Sequence, residues 1–131
     1  MDSEDAMLAV KAGADAIIIS NHGGRQLDGA PSTISVLPEI VDAVNSKVEV
    51  HFDGGVRSGQ DVLKALALGA DCIHIGRPYV YGLGAKGQEG VEIAIEIIKK
   101  ELDLTMAMCG ETNISSVGLH NLHHNPFKII N

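Results

Sequence analysis

A five-residue run recurs in this chain, and its recurrence narrows the possible folds more than any other feature. Gly13-Ala14-Asp15-Ala16-Ile17 returns as Gly69-Ala70-Asp71-Cys72-Ile73. In each copy a glycine closes a helical pattern and an apolar run follows the aspartate. Glycine accepts the left-handed backbone that ends a helix, and branched apolar residues in a short run favour a strand. A further apolar run, Val48 to Phe52, lies between the copies. The repeat is therefore a βα unit of roughly 28 residues, the size of a strand with its crossover helix.

The remaining patterns fit that period. Ser3 to Ala12 reads as a helix, with Ser3 as N-cap, acids in the first turn and Gly13 as the stop. Ala16 to Ser20 is predicted to be a strand. Leu37, Ile40, Val41 and Val44 fall at helical spacing, with Pro38 placed in the first turn, where its missing N–H costs little. Val48 to Phe52 is predicted as the second strand. Ser58-Gly59-Gln60-Asp61 resembles a capping box with Asp in place of Glu, ahead of a helix carrying Val62, Leu63 and Leu66 and ending at Gly69. Cys72 to Ile75 is predicted as the third strand. A long final helix shows Val91, Ala94, Ile95, Ile98 and Leu102 as one stripe. Strands without polar alternation imply parallel pairing covered on both faces.

Open doubly wound sheets and closed (β/α)8 barrels both use such units. The loops before the strands are plain, whereas all three loops after them carry charged and glycine-rich runs. An open sheet gathers ligands mainly at one switch point; a barrel gathers them at every strand's carboxyl end. The expected fold is thus α/β, the C-terminal portion of a (β/α)8 TIM barrel with about three parallel strands and flanking helices. A full barrel takes about 250 residues and this chain has 131, so residues 1–131 are expected to form one partial domain. On that reading Met1 is an internal methionine of a longer reading frame. Raw strand edges would then favour self-association or pairing with a missing barrel half.

Bulk properties exclude other classes. The formal charge of −7 argues against nucleic acid as a partner. No apolar run approaches the roughly 20 residues of a membrane span. The acidic start, Met1-Asp2-Ser3-Glu4-Asp5, is unlike a targeting peptide. Aromatics are 3% with no Trp, so the core must be aliphatic. Cys72 and Cys109 make no disulfide framework, and a cytoplasmic chain with reduced thiols is expected. Cys72 reads as core and Cys109 as an unremarkable thiol.

The chemistry concentrates after the strands. Ser20-Asn21-His22-Gly23-Gly24-Arg25 follows the first one. A guanidinium grips a carboxylate with two parallel hydrogen bonds, and an imidazole accepts a proton near neutral pH. Arg25 and His22 together therefore suit a small carboxylic acid substrate that must lose a proton. Asp53-Gly54-Gly55-Val56-Arg57 follows the second strand and precedes a capped helix. Its glycines let backbone approach an anion, the helix start offers free N–H groups, and Arg57 adds a charged fork. Gly76-Arg77-Pro78 repeats the layout, with Pro78-Tyr79-Val80-Tyr81 as a short extra helix. Barrels often hold phosphate between two such loops.

These segments, with Lys64-Ala65-Leu66-Ala67-Leu68-Gly69-Ala70 and Ile75-Gly76-Arg77-Pro78, resemble the FMN-dependent 2-hydroxy acid oxidase and dehydrogenase family. That family includes glycolate oxidase, lactate oxidase and flavin-linked lactate dehydrogenases. The resemblance covers essentially the whole chain but only about the last third of a usual member. It implies FMN as cofactor and oxidation of a small L-2-hydroxy acid of lactate or glycolate type to the 2-oxo acid. It assigns His22 as base and Arg25 as carboxylate clamp, and it places Ser20, Asp53, Gly54, Gly55, Arg57, Gly76 and Arg77 around the cofactor. Asn125-Pro126-Phe127 looks more like the lactate oxidase branch. Family members also use an upstream lysine, tyrosines, a second arginine and an aspartate paired with the histidine, none of which has a counterpart here. The chain alone is therefore expected to turn over substrate very poorly or not at all. The alternative is a non-catalytic FMN- or phosphate-binding half-barrel, or an assembly partner. A flavin-dependent isomerase or nucleotide dehydrogenase fits less well, because neither needs a carboxylate clamp at Arg25.

Other polar residues read more simply. No metal site is expected. His120, His123 and His124 read as an exposed tail, and His51 and His74 as satisfied barrel residues. Asp28 is expected to orient its turn, while Asp15 and Asp71 belong to the stability end of the barrel. Glu89, Glu92, Glu96, Lys99 and Lys100 form a solvated helix face.

Overall fold

The computed structural model describes residues 1–123. His124 and the Asn125-Pro126-Phe127 run lie outside the described residues. Three parallel strands, β1 (Ala16–Ile19), β2 (Glu49–Phe52) and β3 (Cys72–Ile73), form a sheet of order β1-β2-β3. The helices are α1 (Ser3–Lys11), α2 (Thr33–Val44), α3 (Gly59–Ala67) and α4 (Arg77–Met108). The register pairs Ile17 with Val50, Ile19 with Phe52 and Phe52 with Ile73. Because strand side chains alternate between faces, these five residues share one face. They form a single cluster with Leu37, Ile40 and Val44 of α2 and with Val62 and Ala65 of α3. Both crossover helices thus cover the same face, as a barrel wall requires and a doubly wound sheet does not.

The other face differs from the expectation of strands covered on both sides. Ile18 stands 57% exposed there. His51 and Cys72, register partners of one another, share that face. Glu49-Val50-His51-Phe52 in fact alternates polar and apolar, which suits a strand with one covered face. Cys72 is accordingly half-buried rather than core. β3 is also shorter than predicted and ends at Ile73.

Several local details correct the reading of helix ends. Asp2 rather than Ser3 caps α1, accepting from the Glu4 and Asp5 N–H groups. Ser3 instead donates its hydroxyl to Glu39 Oε1 at 2.8 Å. α2 starts at Thr33, so Pro38 sits inside it rather than in its first turn. The Ser58 cap on Asp61 forms as expected, but the Asp61 carboxylate accepts from the Arg57 N–H at 3.0 Å, one residue short of a true box. The Asp71 carboxylate accepts the Val50 N–H at 2.8 Å, tying the stability end of β2 to the following unit.

α4 breaks at Lys86 and Gly87, where Gly87 has φ 61°. The arm formed by residues 77–85 is the short extra helix, and it folds back on the arm formed by 88–108. A Cβ on Gly90 would lie 1.9 Å from the Gly82 carbonyl oxygen, so only a glycine pair permits the turn. Ile98 is buried on the long arm, but Ile95 is exposed and leaves the predicted stripe. The acidic and basic residues of this arm do form a solvated face, with Lys99 and Glu96 3.6 Å apart. The arm also seals α3: the Gly59 N–H donates to Glu101 Oε2 at 2.9 Å, and a Cβ on Gly59 would meet the Leu102 nitrogen at 1.9 Å. No helix among the described residues is long and apolar enough to cross a membrane.

His120 is exposed, as expected, and it also engages Glu111. Its Nε2 lies 2.8 Å from Glu111 Oε1, which also accepts from the Asn121 amide at 2.8 Å, and Ser116 donates to Glu111 Oε2. Donation from Asn121 and Ser116, with help from His120, lowers the Glu111 carboxyl from 4.5 to about 2.

Two outcomes follow for this scaffold. Gly59→Ala forces α3 away from α4 and is expected to destabilise by about 1–3 kcal/mol, read from urea unfolding midpoints. An unchanged midpoint would show that the helices do not meet this closely. A depressed carboxyl stabilises above its unfolded value and loses that contribution as pH falls through its folded value. Hydrogen-exchange protection over 111–122 should therefore fall between pH 4.5 and about 2, and Glu111→Gln should already lack it at neutral pH.

Candidate active site

Parallel pairing sets the carboxyl ends of the three strands side by side, and the loops leaving them enclose one cleft of ≈ 460 Å³. Ser20, His22, Arg25, Asp53, Gly54, Gly55, Arg57, Gly76 and Arg77 all line it. Every residue given a base, clamp or cofactor role from sequence therefore converges there, from segments up to 57 positions apart (Ser20 to Arg77).

The first loop turns sharply after β1. The Ser20 hydroxyl accepts the His22 N–H at 3.1 Å. His22 itself has φ 55°, a left-handed conformation that non-glycine residues seldom adopt. The 3-10 turn His22–Gly24 follows, closed by the Gly24 N–H on the Asn21 carbonyl at 3.0 Å and the Arg25 N–H on the His22 carbonyl at 3.3 Å. Strained backbone of this kind concentrates at functional positions because the surrounding structure must hold it. Asp28 accepts the Gly29 N–H at 3.0 Å, the turn-orienting role expected of it.

The second loop is held from behind. The Asp53 N–H donates to the Ile19 carbonyl at 3.1 Å, continuing the β1–β2 ladder into the loop. Thr33, 2% exposed, donates to the Gly54 carbonyl at 3.4 Å. A Cβ on Gly54, where φ is +98°, would lie 2.7 Å from Thr33 Oγ1. Gly55 has φ +82° and open space around it, so backbone there is approachable. Asp53 Oδ1 is buried and lacks a hydrogen-bond partner. An unpaired buried acceptor costs about 1–3 kcal/mol, a cost that a ligand hydroxyl or N–H removes.

The third loop joins the first. Gly76 caps α4 without a side-chain hydrogen bond, and Pro78 follows in the opening turn. Arg77 Nη2 reaches the Gly23 carbonyl at 3.5 Å, and a Cβ on Gly23 would stand 3.3 Å from the same nitrogen. Arg57 and Arg77 give the cleft two cations beside two glycine-rich backbones and a helix start, the makings of a phosphate site. The orphaned Asp53 oxygen adds an acceptor for a polyol hydroxyl. These groups fit a phosphorylated cofactor such as FMN.

Sequence reasoning missed some of the supporting residues. Thr33 and Asn21 hold the loops, Asn21 donating to the Pro31 carbonyl at 3.3 Å. Ser32-Thr33 after Pro31 is a helix-start signal that could have located Thr33. His74, Tyr79 and Val80 also line the cleft. Tyr81 is exposed.

Comparison with known proteins agrees with this geometry. The FMN-dependent dehydrogenase family matches residues 1–124. The chain is 53% identical to 2-hydroxyacid oxidase 1 of Mus musculus over 96% of its own length and 34% of that protein's. It is 51% identical to an L-lactate oxidase of Nostoc sp., over 92% of this chain and 33% of the relative. A crystal structure of mandelate oxidase with benzoyl-formic acid superposes with TM-score 0.86 at 49% identity, covering 89% of this chain and 35% of that one. The chain thus spans about a third of the length of the relatives it matches. Its three strands and their helices are a portion of the TIM barrel those oxidases share. The cofactor of the family is FMN, and on sequence and fold together the chain belongs to the FMN-dependent dehydrogenases.

Proposed function

We propose that this chain carries the phosphate-binding and proton-accepting side of a site that oxidises a small L-2-hydroxy acid, of lactate or glycolate type, to the 2-oxo acid with FMN. The observation supporting this reading is that one cleft collects His22 and Arg25 with Asp53, Arg57 and Arg77. Arg57, Arg77 and the backbone at Gly54, Gly55 and Gly76 would hold the FMN phosphate, and Asp53 Oδ1 would accept from a ribityl hydroxyl. FMN supplies the acceptor for the two electrons that leave the alcohol carbon.

Arg25 orients the substrate carboxylate through a two-pronged charged hydrogen bond. His22 takes the substrate proton as the alcohol is oxidised; a positioned base of this kind typically contributes about 10²–10⁴-fold. The strained turn at His22 keeps the two side chains on one loop while the Ser20 hydroxyl holds the turn's N–H. We further propose that the exposed sheet face at Ile18 is covered by protein in the working enzyme, from a second copy or another barrel segment, since an exposed isoleucine beside unpaired strand edges favours association.

A visible spectrum of the purified chain with FMN tests the reading. Bound flavin that bleaches, however slowly, on adding L-lactate or glycolate supports it. Loss of that bleaching in His22→Gln, with flavin retained, supports the role of the base. Flavin that never bleaches leaves a binding module only, and absence of flavin binding removes both readings. Arg57→Ala should weaken FMN binding about 10–100-fold, the usual worth of a charged hydrogen bond. Equal affinity would place the phosphate elsewhere.

A further inference from the structure

The inner face of the sheet holds a cluster that the proposed reaction does not use. His51 on β2 is the register partner of Cys72 on β3. His74, two residues on, returns to the same face. His51 Nδ1 lies 3.1 Å from His74 Nε2, with the rings tilted at 41°. One ligand atom from each of His51, Cys72 and His74 lies within 4.8 Å of the other two. The thiol is free and half-buried. The remaining His51 nitrogen, Nε2, faces Glu49 Oε2 at 3.2 Å.

We propose that His51 Nδ1, His74 Nε2 and Cys72 Sγ bind a divalent transition-metal ion of the zinc class. Two imidazole nitrogens on one tetrahedral ion, each about 2.0–2.1 Å from it, stand about 3.3 Å apart. The pair here already has that spacing. A thiolate on the same ion needs a separation of about 3.5 Å from each nitrogen, within reach by rotating the Cys72 side chain. Two nitrogens and one sulfur are the donor set that zinc and its neighbours prefer over magnesium or calcium.

Glu49 supplies the second indication. A metal-bound histidine usually donates its other N–H to a carboxylate, which fixes the tautomer and aims the free lone pair at the metal. Glu49 accepting from His51 Nε2 leaves Nδ1, the atom that faces His74, as the ligand atom. Binding releases the thiol proton to solvent and leaves a thiolate on the ion. The metal pins β2 to β3 where strand pairing is shortest, just before Gly76 and Arg77. His74 also borders the cleft. Singly, the two histidines read as satisfied interior residues; only their convergence on Cys72 and Glu49 suggests ligands.

Titration of the reduced, flavin-free full chain with Zn²⁺ and Co²⁺ tests this independently of the FMN reading. One equivalent should bind and raise the melting temperature. Co²⁺ should give tetrahedral visible bands and a thiolate-to-metal charge-transfer band that Cys72→Ser abolishes. His51→Gln and His74→Gln should each weaken Zn²⁺ at least tenfold. Glu49→Gln, an exposed change that leaves the ligands intact, should weaken it about 10–100-fold. A chain with His120, His123 and His124 changed to Gln and Cys109 to Ser should bind as the parent does. The proposal is overturned by absence of stoichiometric binding, by a cobalt spectrum that survives Cys72→Ser, or by loss of binding in the tail variant. Far-UV circular dichroism of the metal-free variants establishes that they are folded.

Discussion

The site depends on the parallel register of β1, β2 and β3. Pairing Ile19 with Phe52 and Phe52 with Ile73 brings three strand ends level. The next residues, Ser20 and Asp53 just after adjacent strands, then open onto one cleft, joined by Gly76 from the loop after β3. A slip of one residue would turn every strand side chain to the opposite face. It would bury His51 against Val44 and Leu37 and expose Val50 and Phe52. Burying apolar side chains of this size contributes about 1.5–3 kcal/mol each, so the helices enforce the register, and the register assembles the site.

Loops built on that edge are supported from outside by close backbone approaches. α4 lies directly on the start of α3 at Gly59, and Glu101 takes the Gly59 N–H. The same α3 start holds Asp61 on the Arg57 N–H. The glycine pair at 82 and 90 lets the short arm of α4, which starts at Arg77, pack back on the long arm. Arg77 in turn reaches the Gly23 carbonyl, tying the third loop to the first. The Arg77 and His22 loops of the cleft are thus mechanically linked.

Much of this was legible in the chain. The Gly-Ala-Asp echo, the apolar runs and the capping signals at Ser58 gave the order of elements, because periodicity and end signals are local properties. Nine of the residues lining the cleft stood out because their types, histidine, arginine, aspartate, serine and glycine, sit together in loops after strands. The starts of α1 and α2, the length of β3 and the break in α4 were not legible. Each depends on a competing partner, such as Asp2 for the α1 cap or Gly82 against Gly90, that sequence spacing does not reveal.

The sequence by itself determined the βα period, the end of the sheet at which the polar loops collect and the residue types those loops bring there. Strand alternation and helix periodicity follow from backbone geometry, which each segment expresses alone. The tertiary structure decided what meets across strands and helices. It brought His51, Cys72, His74 and Glu49 onto one patch, placed Thr33 behind Gly54, and left Asp53 Oδ1 buried without a partner. Those outcomes rest on register and packing, where residues more than twenty positions apart compete for one space, and no local pattern encodes which of them wins.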